Sequence, residues 1–158
     1  MGPEGCILLV DDDPNDVALL RRALERIGHA LPLRVAVDGL QAVDYLAGRG
    51  VFADRARHPQ PSLVLLDVKL PRQSGLEVLA WVREQPSLSG LRILILTSST
   101  EPSDIRRAYA LGAELYLVKP VGFEALKGLA RALGAYWNRP EQGPAAFLSE
   151  YSQPCPVA

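Results

Sequence analysis

Residues 6–16 read CILLVDDDPND, and the organisation of the whole chain follows from that stretch. Five mostly branched apolar residues, Cys6 to Val10, have the character of a strand buried on both faces, as in a parallel sheet. The strand ends in three carboxylates, Asp11, Asp12 and Asp13. Clustered acids repel one another unless a cation sits among them, and hard divalent cations such as Mg²⁺ take oxygen ligands. Asp13 has a simpler role. Asp13-Pro14-Asn15-Asp16 is a helix start, with Asp13 as N-cap and Pro14 at the first helical position. For Asp11 and Asp12, this stretch alone fits metal ligands and a solvated strand end equally well.

Outward from there, apolar strands alternate with helical patterns. Val17, Leu20, Leu24 and Ile27 recur at three- and four-residue spacing, and Gly28 stops that helix. Leu33 to Val37 reads as a second strand. A short helix follows with Ala42, Val43 and Leu46 inward and Gly48 as its stop. Residues 49–61 are polar, basic and Pro-containing, which predicts a surface loop. Leu63 to Leu66 forms a third strand ending on Asp67. Ser74-Gly75-Leu76-Glu77 has the Ser-x-x-Glu form of a capping box and opens a helix that Pro86 closes. Ile93 to Leu96 is a fourth strand ending on Thr97 and Ser98. A helix with Ile105, Ala108 and Leu111 stops at Gly112, and Leu115 to Val118 is a fifth strand ending on Lys119-Pro120. The last helix spans about Phe123 to Trp137.

Five strand–helix units in succession predict an α/β fold with a parallel sheet, helices on both faces and right-handed crossovers. Such sheets bind ligands outside the carboxyl ends of their strands. Asp11, Asp12, Asp67, Thr97 and Lys119 all fall at those ends. Four strand ends converging on one rim favour a site over mere solvation of the acids. Three carboxylates can hold one Mg²⁺, which would attract and neutralise a phosphoryl group. The Thr97 hydroxyl and the Lys119 ammonium would contact the remaining phosphoryl oxygens. One carboxylate would then be the nucleophile that forms an acyl phosphate. Asp67, alone on its strand, is the candidate.

Composition sets the outer limits. The chain has 158 residues, enough for one well-cored domain, expected over residues 1–137 and followed by a Pro-containing tail at 138–158. An apolar content of 48% argues against disorder. A formal net charge of −1 gives no electrostatic reason to capture nucleic acid or an anionic membrane. No apolar run reaches a membrane span, and the N-terminus lacks the pattern of a signal peptide. Cys6 lies in the first strand and Cys155 in the tail, so no disulfide between them is expected and a cytoplasmic location is.

These motifs resemble the receiver domain of two-component response regulators. The matching residues are Val10-Asp11-Asp12, Leu65 through Pro71 with Gly75, Leu96-Thr97-Ser98, and Tyr116 through Pro120. The match covers roughly residues 6–137, and five motifs in order are specific. The resemblance implies a flavodoxin-like sheet of strand order 2-1-3-4-5. It implies phosphorylation of Asp67 by a histidine kinase, with Mg²⁺ as cofactor. Asp12, Asp67 and the main-chain carbonyl of Lys69 would be direct metal ligands, and Asp11 would act through a bound water. Thr97 and Lys119 would bind the phosphoryl oxygens, and Lys119-Pro120 would be a cis peptide. Phosphorylation would draw Thr97 inward, and Tyr116 would rotate in behind it as a switch. Lys69 and Ser99 depart from the commonest pattern beside the path of the hydrolytic water. Lys69 could pair with a phosphoryl oxygen or extend into solvent.

The loop at 49–61, the Leu-Thr-Ser-Ser after the fourth strand, the final Tyr136-Trp137 and the absence of an output domain resemble the stand-alone receivers associated with bacterial phytochromes. That resemblance implies a light-sensing kinase as partner. The implied role is phosphoacceptor signalling or phosphate draining, with self-phosphorylation from a donor and autodephosphorylation as the sole chemistry. On the last helix Phe123, Leu126, Ala130, Leu133 and Trp137 make one inward stripe. Leu129 and Tyr136 fall off it and, with Tyr109 and Leu111, would form an apolar patch for a homodimer. Ala145 to Leu148 would dock on the same or a second subunit. His29 and His58 are expected in solvent.

Other classes fit less well. A flavodoxin-like cofactor binder would find three aspartates repelling its phosphate. A phosphohydrolase with an Asp nucleophile commonly carries a second acid two residues on, where this chain has Lys69. A degenerate receiver acting as a protein-binding module without phosphorylation is the alternative, and the presence of all five key residues speaks against it.

Overall fold

The computed structural model describes residues 5–156. Five strands, β1 (Cys6–Val10), β2 (Leu33–Ala36), β3 (Pro61–Leu66), β4 (Arg92–Thr97) and β5 (Leu115–Val118), form one sheet of order β2-β1-β3-β4-β5. Every neighbouring pair in it is parallel. The helices are α1 (Pro14–Arg26), α2 (Gly39–Ala47), α3 (Gly75–Arg83), α4 (Pro102–Ala110), α5 (Phe123–Asn138) and a short α6 (Ala145–Leu148).

Period-two alternation along the strands divides the core into two layers. Ile7, Leu9, Leu63, Leu65, Leu94, Leu96 and Leu117 face α1 and α5. Leu8, Val10, Val64, Leu66, Ile93, Ile95 and Tyr116 face α2, α3 and α4. Both faces of the inner strands are covered, which is why β1, β3 and β4 carry long apolar runs, whereas edge strand β2 exposes Arg34.

Local signals start and stop the helices as expected. The Asp13 carboxylate accepts from Asn15 N at 2.9 Å, with Pro14 in the first turn of α1. Ser74 Oγ accepts from Glu77 N at 3.2 Å at the start of α3. Gly48 ends α2 in the left-handed region at φ 68°.

Two expectations change. Residues 49–61 cross the surface but are tied down: Arg55 donates to the carbonyls of Tyr45, Leu46 and His58, and Tyr45 donates to Pro59 O. His58 is half-buried edge-on to Tyr45 and Phe52, and half-buried His29 lies against Gly134, so neither histidine is free in solvent. A sequence pattern does not report such long-range packing of a loop.

The second change concerns α5. Leu129 and Tyr136 are 0% and 2% exposed, not surface residues. The tail supplies the missing partner. Leu148 of α6 is fully buried in one cluster with Leu129, Leu133, Tyr136 and Trp137, and Phe147 and Tyr151 pack at its margin. Beyond α6 the chain runs along the outer edge of β5, where Leu117 bridges Ser152 and Gln153 N donates to Tyr116 O at 2.7 Å. Tyr109 joins in, donating from its hydroxyl to Gln153 O and accepting from Tyr116 N. The patch expected to pair two subunits is therefore largely occupied by the chain's own tail, because α5 buries two faces rather than one.

Candidate functional site at the carboxyl rim of the sheet

Four strand ends deliver the site side chains to one place, and α1 adds a fifth contributor. The Asp67 carboxylate, at the end of β3, is held through both oxygens. Thr97 Oγ1, on the last residue of β4, donates to Oδ1 at 2.6 Å. Lys119 Nζ, just past β5, donates to Oδ2 at 2.9 Å. The Lys69 backbone N–H also points at Oδ1, at 3.3 Å. Lys119 simultaneously contacts Asp11 Oδ2 and Asp16 Oδ2, each at 2.8 Å.

Asp11, Asp67 and Thr97 are buried, at 4%, 7% and 0% exposure, whereas Asp12 is exposed beside them. One carboxylate oxygen from each of Asp11, Asp12 and Asp67 lies within 4.8 Å of the others. Hard oxygen donors so spaced fit a divalent cation. The charge balance points the same way, since Asp11, Asp16 and Asp67 all meet the one ammonium of Lys119 while Asp12 stands beside them. Burial pushes the Asp11 carboxyl above the ordinary carboxylate range; Lys119 and the Asp13 amide pull it back, and the Asp67 charge pushes it further up. For Lys119, burial disfavours the charge, but hydrogen bonds to Asp11, Asp16 and Asp67 outweigh it and hold the pKa above the usual lysine value.

The expected acids, Lys69, Thr97 and Lys119 line one cleft, and Tyr116 lies in the core behind it. An open cleft of about 720 Å³ is lined by Asp11, Asp12, Asp67, Lys69, Thr97 and Lys119, among others. The Lys119–Pro120 bond, expected cis, is trans, as no cis bond occurs among the described residues; trans remains the intrinsically favoured form even before proline. Tyr116 is fully buried, and its hydroxyl donates to Ser99 O at 2.9 Å. The Tyr116 hydroxyl is thus held by the protein and not by water. Its ring lies inside while Thr97 is bonded to Asp67, and burial raises its phenol above the usual value.

Two residues at the rim were not singled out by sequence. Asp16 reads as part of a helix start, yet it sits in the first turn of α1 and reaches Lys119. Asp104, in the first turn of α4, accepts from Ser99 Oγ at 2.6 Å and lies 3.4 Å from Lys69 Nζ. An acid in a first turn is an ordinary helix-start signal, so its sequence context hides both contacts.

A family profile described as the response regulator receiver domain matches residues 7–131. The chain is 37% identical over 131 residues to a probable methanogenesis regulatory protein, FilR2, of Methanothrix harundinacea, covering 83% of this chain and 82% of that protein. It is 31% identical over 144 residues to response regulator Rcp1 of a Synechocystis strain, covering 91% and 96% respectively. Among solved structures, the phosphorylated cyanobacterial phytochrome response regulator RcpA superposes with a TM-score of 0.77 at 28% identity, over 87% of this chain and 96% of that one.

Proposed function

The chain belongs to the response regulator receiver domain family, and from that premise we infer that Asp67 accepts a phosphoryl group from a histidine kinase. The observation that carries this reading is the Asp67 carboxylate itself. Its two oxygens are taken separately by a hydroxyl and an ammonium, with two further carboxylates beside it. In the transfer, an Asp67 oxygen bonds to phosphorus as the phosphorus–nitrogen bond of the kinase phosphohistidine breaks and the imidazole leaves.

A bound Mg²⁺ would neutralise charge on the arriving phosphoryl, held by Asp11, Asp12, Asp67 and the carbonyl of Lys69. Lys119 supplies fixed positive charge at the other Asp67 oxygen from Thr97, and Thr97 can exchange its bond to Asp67 for one to a phosphoryl oxygen. That exchange pulls on the end of β4, two residues from the Ser99 carbonyl that Tyr116 holds. Thr97 and Tyr116 thus form the switch, and a new charge-assisted hydrogen bond of about 1.5–3 kcal/mol is enough to reverse a modest preference between two conformations.

The partner in this reading is a phytochrome-type kinase, supported by similarity to Rcp1 and to the phytochrome regulator RcpA. The output is protein–protein signalling or phosphate draining in the cytoplasm. Self-pairing across α4 and α5 requires the tail to leave first. Incubation with acetyl phosphate and Mg²⁺, followed by intact mass measurement, tests the core of the reading. One added phosphoryl group on the wild-type chain and none on Asp67→Asn is the expected result. No adduct with any donor would leave a protein-binding module instead. For the partner, illumination-dependent phosphotransfer from a phytochrome kinase is the measurement.

A further inference from the structure

The loop after β3 and the loop after β4 reach the cleft independently, and one side chain joins them. Asp104 Oδ2 accepts from Ser99 Oγ at 2.6 Å and pairs with Lys69 Nζ at 3.4 Å. Asp104 is nearly covered, with 13% of its side chain exposed, while that of Lys69 is 64% exposed. Lys69 lines both the cleft over Asp67 and Thr97 and the neighbouring hollow that contains Asp104. Its flexible four-carbon stem can serve either side. The acid is the fixed partner and the ammonium is the movable one.

We propose that Asp104 is a positioning residue that sets the lifetime of the phosphorylated state by competing with the phosphoryl group for the Lys69 ammonium. This rests on Asp67 being the phosphoacceptor. In the decay step, water oxygen bonds to phosphorus and the bond from phosphorus to the Asp67 oxygen breaks. Both water protons leave with the phosphate as dihydrogen phosphate, and the Asp67 carboxylate is restored. In a loose transition state, charge moves from the phosphoryl oxygens toward the departing carboxylate. A cation resting on the phosphoryl oxygens therefore stabilises the adduct at least as well as the transition state. The long side chain laid across the cleft also keeps water from the phosphorus. Asp104 draws Lys69 away and so shortens the lifetime.

Asp104→Asn is the informative variant, because its carbonyl oxygen still accepts from Ser99 while its charge is gone. The full chain is phosphorylated with acetyl phosphate and Mg²⁺, freed of donor, and followed by intact mass. Asp104→Asn should slow decay about two- to fivefold, the range by which one partly exposed ion pair can shift an equilibrium. In a Lys69→Ala background the same substitution should change nothing, and Asp104→Glu should restore much of the wild-type rate. Equal slowing with and without Lys69, or no slowing at all, overturns the proposal while leaving Asp67 as acceptor. Absence of any adduct on the wild-type chain overturns both. Matching thermal unfolding of the wild type and Asp104→Asn excludes a merely structural cause.

Discussion

Asp12 and Tyr45 show how differently two polar side chains of one small protein can be held. Asp12 is exposed, at the edge of the acid cluster, so replacing its charge disturbs little of the fold. A cation that binds the folded chain stabilises it by mass action, by about 2.7 kcal/mol at a hundred times its dissociation constant. Mg²⁺ should therefore raise the melting temperature of the wild type, and Asp12→Asn should abolish that rise while nearly keeping the metal-free melting temperature. Differential scanning calorimetry with and without Mg²⁺ reads both. Tyr45 is 2% exposed and donates to Pro59 O at 2.9 Å, and burial, reinforced by Cys6, pushes its phenol up to about 12. A group whose folded pKa is raised contributes stability that is intact below its unfolded value, near 10, and lost as pH rises toward the folded value. The wild type should thus lose up to about 2–3 kcal/mol between pH 10 and 12 through this residue alone. Tyr45→Phe should start about 1 kcal/mol less stable at neutral pH, for want of the hydrogen bond, and close that gap in alkali. Urea denaturation across that pH range is the check. The five site residues were legible because each sits at a strand end in a run of apolar residues. Asp16 and Asp104 were not, because an acid in a first turn looks the same whether it caps the helix or reaches a lysine from a distant part of the chain.

At the scale of elements, the path from β3 into α3 governs the geometry around Asp67. Gly75 opens α3 where a Cβ would lie 1.9 Å from the Asp67 carbonyl oxygen, a contact no side chain can accept without moving the backbone. Gly75→Ala should cost roughly 1–3 kcal/mol of stability, as overpacked sites do, and it should weaken Mg²⁺ binding because the displaced backbone carries Asp67 and Lys69. A urea titration and a calorimetric Mg²⁺ titration measure the two effects. The Ser74 cap was legible from Ser-x-x-Glu, whereas the need for glycine at 75 comes from a strand end eight residues earlier in the chain. The strands themselves were easy to see. The inner ones, β1, β3 and β4, are buried on both faces and carry runs of Ile, Leu and Val too short for helices and bounded by turn residues. Register and the sorting of alternate residues between two helix layers became visible only with the sheet assembled.

For the whole molecule, the tail is the element that changes the picture. Truncation after Gly143 should expose Leu129 and Tyr136 and strip the outer edge of β5. The loss of Leu148 burial alone costs about 1.5–3 kcal/mol. The full chain should then sediment as a monomer at micromolar concentration, and the truncated chain should melt earlier and self-associate through the uncovered face. Analytical ultracentrifugation of the two chains decides this, and a truncated chain that stays monomeric would show that the covered face is not adhesive. What the sequence determined by itself was the alternation of strands and helices, the parallel sheet it requires, and the gathering of Asp11, Asp12, Asp67, Thr97 and Lys119 on one rim. Periodicity and strand-end position are properties of neighbouring residues, so they survive in a linear reading. Only the tertiary structure decided that α5 is buried on two faces, that the loop at 49–61 is anchored through Arg55, and that Asp104 links Lys69 to Ser99. Those contacts join segments far apart in the chain, and a local pattern carries no information about which distant surface comes to lie against it.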